Sequence, residues 1–195
     1  MKSFKDPKLV KDESLIWKAF KSGDESAFGE IYETHIQGLL NYGNKINSNR
    51  QLVQDAIQDL FIELWNSRER LSNTDSVKFY LFRSLRNKLS KFSKDISHIP
   101  LDNAFETLSD PSVTFHFFDE EIESERIERL QKAILKLSRR QQEAINLRYF
   151  HNFSNEEIAE MMSLNYQSAC KLIYGGLKFL KENIKLFIII FLIFS

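Results

Sequence analysis

The chain is poor in the residues that interrupt or staple a fold: one cysteine, three prolines and six glycines among 195 residues. The single Cys170 excludes an internal disulfide and any multi-cysteine metal site, and it suits a reducing, cytoplasmic compartment. So few breakers, with few β-branched runs, predict an all-α protein. The four histidines, His35, His98, His116 and His151, are scattered. No HExxH, glycine-rich phosphate loop or Ser/His/Asp arrangement accompanies them, so neither enzyme chemistry nor a cofactor or metal is expected. The opening MKSFKDPKLVKDES has no apolar core, which excludes a secretory signal. The one long apolar run, LFIIIFLIF at 186–194, has nine residues, against the roughly 20 that cross a bilayer. Covering a core edge, binding a partner and grazing a membrane all remain open for it, with packing or disorder preferred to anchoring.

Net charge is absent too, at a formal zero, but the zero is a cancellation. Residues 76–94 carry six Lys/Arg and no acid, residues 95–125 carry nine Asp/Glu and no Lys/Arg, and residues 126–181 carry ten basic against five acidic side chains. Two basic blocks flank an acidic one, a distribution compatible with nucleic acid despite the neutral total.

The N-terminal part predicts four helices. Leu15, Ile16, Ala19 and Phe20 mark a short one ended by Gly23, and Asp24 caps the next, with Phe28, Ile31, Tyr32, Ile36, Leu39 and Leu40 along one side. The third shows apolar pairs every four residues, from Leu52 and Val53 to Leu64 and Trp65. Gln54, Asp55, Gln58, Asp59 and Glu63, with Ile62, form its other face. A polar loop, 66–75, leads to a fourth helix near 76–94 with two stripes. Leu81, Phe82, Leu85, Leu89 and Phe92 face a core; Phe79, Arg83, Arg86, Ser90 and Lys94 face away. Cations that track phosphates beside an aromatic that stacks on an unpaired base would hold single-stranded DNA. An ordinary basic surface helix with Phe79 tucked inward explains the stripe equally well.

Pro100, Pro111 and several Ser, Asn and Asp make 97–118 a flexible acidic linker. Helix resumes near Asp119, with Ile127, Leu130, Ile134 and Leu137 buried, and Ser138 with Gln141 forms a capping box for a helix reaching Phe150. A second capping box, Ser154 with Glu157, opens a short helix; Asn165 caps another whose inward residues are Ala169, Ile173 and Leu177. Gln167, Lys171, Tyr174 and Lys178 form a polar stripe opposite. A short helix clamping a second one with such a stripe is a helix–turn–helix suited to a DNA major groove; a plain helical hairpin is the alternative.

Three segments, in order, resemble the sigma-70 family of bacterial RNA polymerase sigma factors, of the compact extracytoplasmic-function (ECF) type: DAIQDLFIELW, SVKFYLFRSLRNKL and LSRRQQEAINLRYFHNFSNEEIAEMMSLNYQSACKLI. The NYQSACKLIYGGLKFL wording and the apolar run are similar to Bacteroidetes-like members. The resemblance implies two small helical domains joined by a flexible linker: a region 2-like domain at 10–96, the linker at 97–118, a region 4-like helix–turn–helix domain at 119–182 and an apolar tail at 183–195. It implies that Asp55, Gln58, Asp59, Ile62 and Trp65 meet core RNA polymerase, with Trp65 as readily a core residue. The 66–75 loop would cradle a base flipped from the −10 element of promoter DNA, while Phe79, Arg83, Arg86, Asn87 and Lys94 hold the opening strand. Tyr166, Gln167, Ser168, Lys171 and Tyr174 would read the −35 element, and Arg148 and Lys178 would meet phosphates. A membrane-bound anti-sigma factor would be a further partner, with no small-molecule substrate and no cofactor.

Departures from the family pattern carry expectations of their own. Ser138 stands where a proline is usual and still caps. Ser163 replaces the usual turn glycine, tolerable if its backbone stays near helical values. Cys170, Leu172 and Gly175 replace common arginines, and Gly175 with Gly176 costs about 1 kcal/mol each against alanine in a helix. Weak −35 binding by the isolated C-terminal domain follows, offset by tethering through the polymerase. The rival function, a stand-alone helix–turn–helix regulator, would need tight duplex binding without polymerase, usually as a dimer.

Overall fold

The computed structural model describes residues 13–95 and 130–194, with side chains at 13–91 and 130–183. The expected linker at 97–118, the helix start expected near Asp119 and Ile127 lie outside the described residues. All regular structure described is helical, and the chain divides into two compact units, Met1–Asp102 and Asn103–Ser195.

The first unit holds α1 (Glu13–Lys21), α2 (Glu25–Ile46), α3 (Arg50–Ser67), a 3-10 turn (Arg68–Arg70) and α4 (Val77–Asp95). Gly23, at φ +94°, turns the chain between α1 and α2 in a conformation that L side chains resist. Asp24 then caps α2, its Oδ1 accepting the Ser26 and Ala27 amides at 2.8 and 3.2 Å, and Asn49 caps α3 through the Leu52 amide at 3.1 Å. Val53, Leu81, Phe82, Leu85 and Leu89 bury the expected faces of α3 and α4. Gly43 permits the close crossing of α2 and α3, because a Cβ there would stand 2.5 Å from Val53 Cγ1. Glu63 and Lys88 tie α3 to α4 through a 2.6 Å ion pair.

The helix marked by Leu15, Ile16, Ala19 and Phe20 forms as α1, yet Leu15 is 61% exposed and Trp17, which the apolar pattern passed over, is buried. Nine residues make only two and a half turns, too few for periodicity to fix which side faces inward. The expected loop at 66–75 is also shorter, since α3 runs to Ser67 and the 3-10 turn to Arg70, leaving 71–76 non-helical.

In the second unit, residues 130–135 (α5) precede α6 (Arg139–Tyr149), α7 (Asn155–Met161) and α8 (Tyr166–Phe194). Both capping boxes form: Ser138 with Gln141, and Ser154 with Glu157, whose carboxylate accepts the Ser154 amide at 2.7 Å. Ala144, Leu147, Ile158, Met161, Ala169 and Ile173 are buried between α6, α7 and α8. Ala133, Leu137, Ile145 and Leu180 form a second cluster, with Ile134 and Phe179 against it. Leu130, expected inside, is exposed; Ala133 takes its place. Ser163 departs from helical values altogether, at φ +54°. The glycine it replaces would sit there without strain.

Candidate protein and nucleic-acid interfaces

On α3, Asp55, Gln58 and Asp59 are exposed, and Ile62 is 50% exposed, unusual for an isoleucine within a packed bundle. Gln51 Nε2 donates to Asp55 Oδ1 at 2.9 Å, steadying that carboxylate one turn along the helix. Beside this face runs an apolar groove of 670 Å³, lined by Tyr32, Ile36 and Leu40 of α2 and by Gln58, Phe61 and Ile62 of α3. Trp65 is half-buried between the bundle and the groove. Its ring packs on Phe28 at 5.0 Å and lies under the Arg68 guanidinium at 4.5 Å, and it also lines the groove.

Tyr32, Ile36 and Leu40 were placed along one side of the helix with Phe28, Ile31 and Leu39. The core stripe of α2 is instead Ala27, Ile31, His35, Leu39 and Tyr42. The residues one position on form a second apolar stripe, wider than the bundle needs. That excess width was the available signal, and the missed residues are the groove's α2 wall.

On α4, Ser76 Oγ accepts the Phe79 amide at 3.2 Å and so caps the helix. Phe79 is half-buried, and the Arg83 guanidinium carbon lies 6.0 Å from its ring centre, so aromatic and cation present together. Arg83 and Asn87 are exposed and Arg86 is half-buried. Lys94 is on α4, its side chain outside the described residues. Just ahead, the 71–76 loop carries exposed Ser72, Asn73 and Asp75. Thr74 stiffens it, its Oγ1 accepting the Ser76 amide at 3.2 Å and donating to the Ser76 carbonyl at 3.0 Å.

In the second unit, Asn165 caps α8 through the Ser168 amide at 2.8 Å. Gln167, Lys171, Tyr174 and Lys178 are exposed along α8, and Ala169 and Ile173 are buried behind them. The polar stripe and the clamped face therefore fall where the helix–turn–helix requires. Tyr166 is half-exposed; its hydroxyl pKa is raised, first by the hydrogen bond with the Cys170 thiol. Asn155 Nδ2 also reaches Cys170 Sγ, at 3.4 Å, joining the start of α7 to α8. Ser168 is half-buried. Arg148 is exposed but engages its own turn, Nη1 donating to the Phe153 carbonyl at 2.9 Å. Lys178 stands 4.0 Å from Glu182 one turn along, an exposed pair of little strength. The adjacent glycines have a packing reason invisible in the sequence: a Cβ on Gly176 would stand 2.6 Å from Ile145 Cδ1 of α6.

Among the described residues no helix is long and apolar enough to cross a membrane, and no cluster of His, Cys, Asp or Glu could hold a metal ion.

Residues 31–96 match the model of sigma-70 region 2, and residues 127–180 match that of sigma-70 region 4. The RNA polymerase sigma factor NccH of Alcaligenes xylosoxydans xylosoxydans is 30% identical over 84 residues, 43% of this chain and 44% of NccH. The RNA polymerase sigma factor YlaC of Bacillus subtilis (strain 168) is 21% identical over 159 residues, 79% of this chain and 90% of YlaC. The fold is similar to that of CnrH, solved in complex with the cytosolic domain of CnrY: TM-score 0.59, 19% identity, 88% of this chain and 95% of that one. It is also similar to the sigma factor RpoE from Bartonella quintana, solved with the anti-sigma factor NepR: TM-score 0.57, 19% identity, 81% of this chain and 96% of that one. With regions 2 and 4 in order on its two helical units, the chain belongs to the sigma-70 family and is a sigma factor of the ECF type.

Proposed function

We propose that this chain docks on core RNA polymerase through the α2–α3 groove and its rim, and directs the enzyme to promoters through two separate DNA-reading surfaces. Asp55, Gln58, Asp59, Ile62 and Trp65 meet the polymerase, joined by Tyr32, Ile36 and Leu40. An apolar trough rimmed by carboxylates and amides suits a partner helix with apolar knobs and flanking cations. Phe79, Arg83, Arg86, Asn87 and Lys94, with the 71–76 loop, hold the −10 strand as the duplex opens. Tyr166, Gln167, Ser168, Lys171 and Tyr174 read the −35 element, with Arg148 and Lys178 on phosphates.

One observation carries this most strongly. The polar stripe of α8 and the α3 rim, each argued from sequence alone, are the exposed sides of their helices, and each lies within its family region. As a sigma factor the chain assists a reaction the polymerase performs and catalyses none itself. It acts in the cytoplasm at the nucleoid, with residues 10–96 and 119–182 as its working domains and 97–118 as the tether. A membrane-bound anti-sigma factor restrains it, and it belongs to a Bacteroidetes-like subgroup, supported by NYQSACKLIYGGLKFL and the apolar run. Run-off transcription with purified core enzyme tests the function: defined start sites are expected only when the chain is added, and identical transcripts with and without it would refute it.

A further inference from the structure

Helix α1 lies outside the 31–96 match to region 2, yet it makes polar contacts with Ser72 and Asn73 of the 71–76 loop and with Val77 just after it. The Trp17 indole N–H donates to the Ser72 carbonyl at 3.0 Å, Lys21 Nζ donates to Asn73 Oδ1 at 3.2 Å, and Glu13 Oε2 accepts the Val77 amide at 3.3 Å. The three partners lie near the loop's entry, at its middle and where it becomes α4. Trp17 is 1% exposed, its ring fixed against Phe20 at 5.2 Å and Tyr80 at 5.5 Å. A buried indole N–H needs an acceptor, so a ring locked in the core dictates where the Ser72 carbonyl must stand. The turn entering the loop is fixed too, because Arg68 Nη1 donates to the Trp65 carbonyl at 2.8 Å. Short polar loops lose conformational entropy when a ligand orders them, and a loop already tethered in its bound shape loses less.

We propose that α1 is the positioning element for strand capture, with Trp17 and Lys21 holding the 71–76 loop in the shape that receives an unstacked base. This rests on reading that loop as the base-holding segment. Neither side chain need touch DNA; both are positioning residues that act through Ser72 and Asn73. Trp17→Phe keeps an aromatic ring in the core and removes the donor, and Lys21→Met removes a surface contact with little effect on folding.

The test uses holoenzyme reconstituted from the full chain. Its ligands are single-stranded oligonucleotides carrying the non-template −10 strand of a promoter the holoenzyme uses, either intact or with one abasic site at successive positions. Either variant should bind the intact strand roughly two- to tenfold more weakly, the worth of one net hydrogen bond. At one abasic position that penalty should vanish, because no base remains for the loop to hold. Equal weakening on intact and abasic strands would make α1 merely structural and overturn the proposal, as would wild-type affinity in both variants. Wild-type holoenzyme indifferent to every abasic site would overturn the base-holding reading of the loop together with this inference.

Discussion

Alanine at Gly175 and at Gly176 adds the same methyl group to successive residues of α8, yet the two should move stability in opposite directions. In an exposed helix interior, replacing glycine by alanine gains about 1 kcal/mol. At Gly175 that gain should be realised, because a Cβ would meet Gln141 Nε2 at 3.5 Å, an ordinary contact. At Gly176 the methyl would stand 2.6 Å from Ile145 Cδ1, short of a normal carbon–carbon contact by roughly 1 Å. Overpacking of this kind costs about 1–3 kcal/mol, so Gly176→Ala should come out neutral to roughly 2 kcal/mol less stable. Ile145→Val removes the offending carbon. Alone it should cost about 0.5–1.5 kcal/mol; beside Gly176→Ala it should cost almost nothing, a favourable coupling of about 1 kcal/mol. Hydrogen exchange of the α6 and α8 amides in the full chain reads the opening free energy of this unit directly. If Gly176→Ala stabilised α6 and α8 as much as Gly175→Ala, helix approach would not be what keeps this glycine small.

Three further outcomes follow from separate parts of the molecule. Ser163→Gly should stabilise the second unit by about 0.5–1 kcal/mol, since φ +54° strains any residue with a Cβ; unchanged hydrogen exchange across α7 and α8 would contradict this. Arg83→Ala combined with Arg86→Ala should impair promoter opening, read by permanganate footprinting, while co-elution with core polymerase persists; lost co-elution would make the pair structural. His35 is 8% exposed, and its pKa is lowered from 6.5 first by burial, with Lys78 adding to that and Glu13 opposing it. The folded state therefore binds fewer protons than the unfolded state just below pH 6.5, so the first unit should lose stability as pH falls through that window. Both tryptophans, Trp17 and Trp65, lie in this unit, so urea melts followed by their fluorescence isolate it. His35→Gln should flatten the slope below pH 6.5, and an unchanged slope would place its origin elsewhere.

The sequence was most legible where a single residue decides a local geometry. Asp24, Ser138, Ser154 and Asn165 all cap as their chemistry dictates, and these caps fix the starts of α2, α6, α7 and α8. The exposed stripes of α3 and α8 were legible for a related reason, since long periodic segments leave one consistent side for polar residues. What stayed hidden depends on contacts distant in sequence. Trp17 and Leu15 are both apolar on a helix too short to fix its rotation, and contacts from Tyr80 and the Ser72 carbonyl, distant in sequence, settle which one is buried. Tyr32, Ile36 and Leu40 share one apolar side with Ile31 and Leu39, and apolarity alone does not say which stripe the bundle buries. Gly176 reads as a weak spot in a recognition helix until Ile145 is brought beside it. Ser163 reads as a helix-compatible substitute, because nothing local reveals that the turn geometry demands a positive φ.

The proposed separation of a polymerase-facing groove from DNA-facing helices is tested most directly by co-elution with bacterial core RNA polymerase. Three full-length proteins are compared: wild type, Ile62→Arg at the groove rim, and Arg83→Ala/Arg86→Ala on α4. Wild type and the double arginine variant should co-elute with core enzyme, and Ile62→Arg should not, because it places a charge where an apolar knob must seat. Wild-type protein that never associates with core enzyme, or Ile62→Arg that associates as well as wild type, would contradict the account.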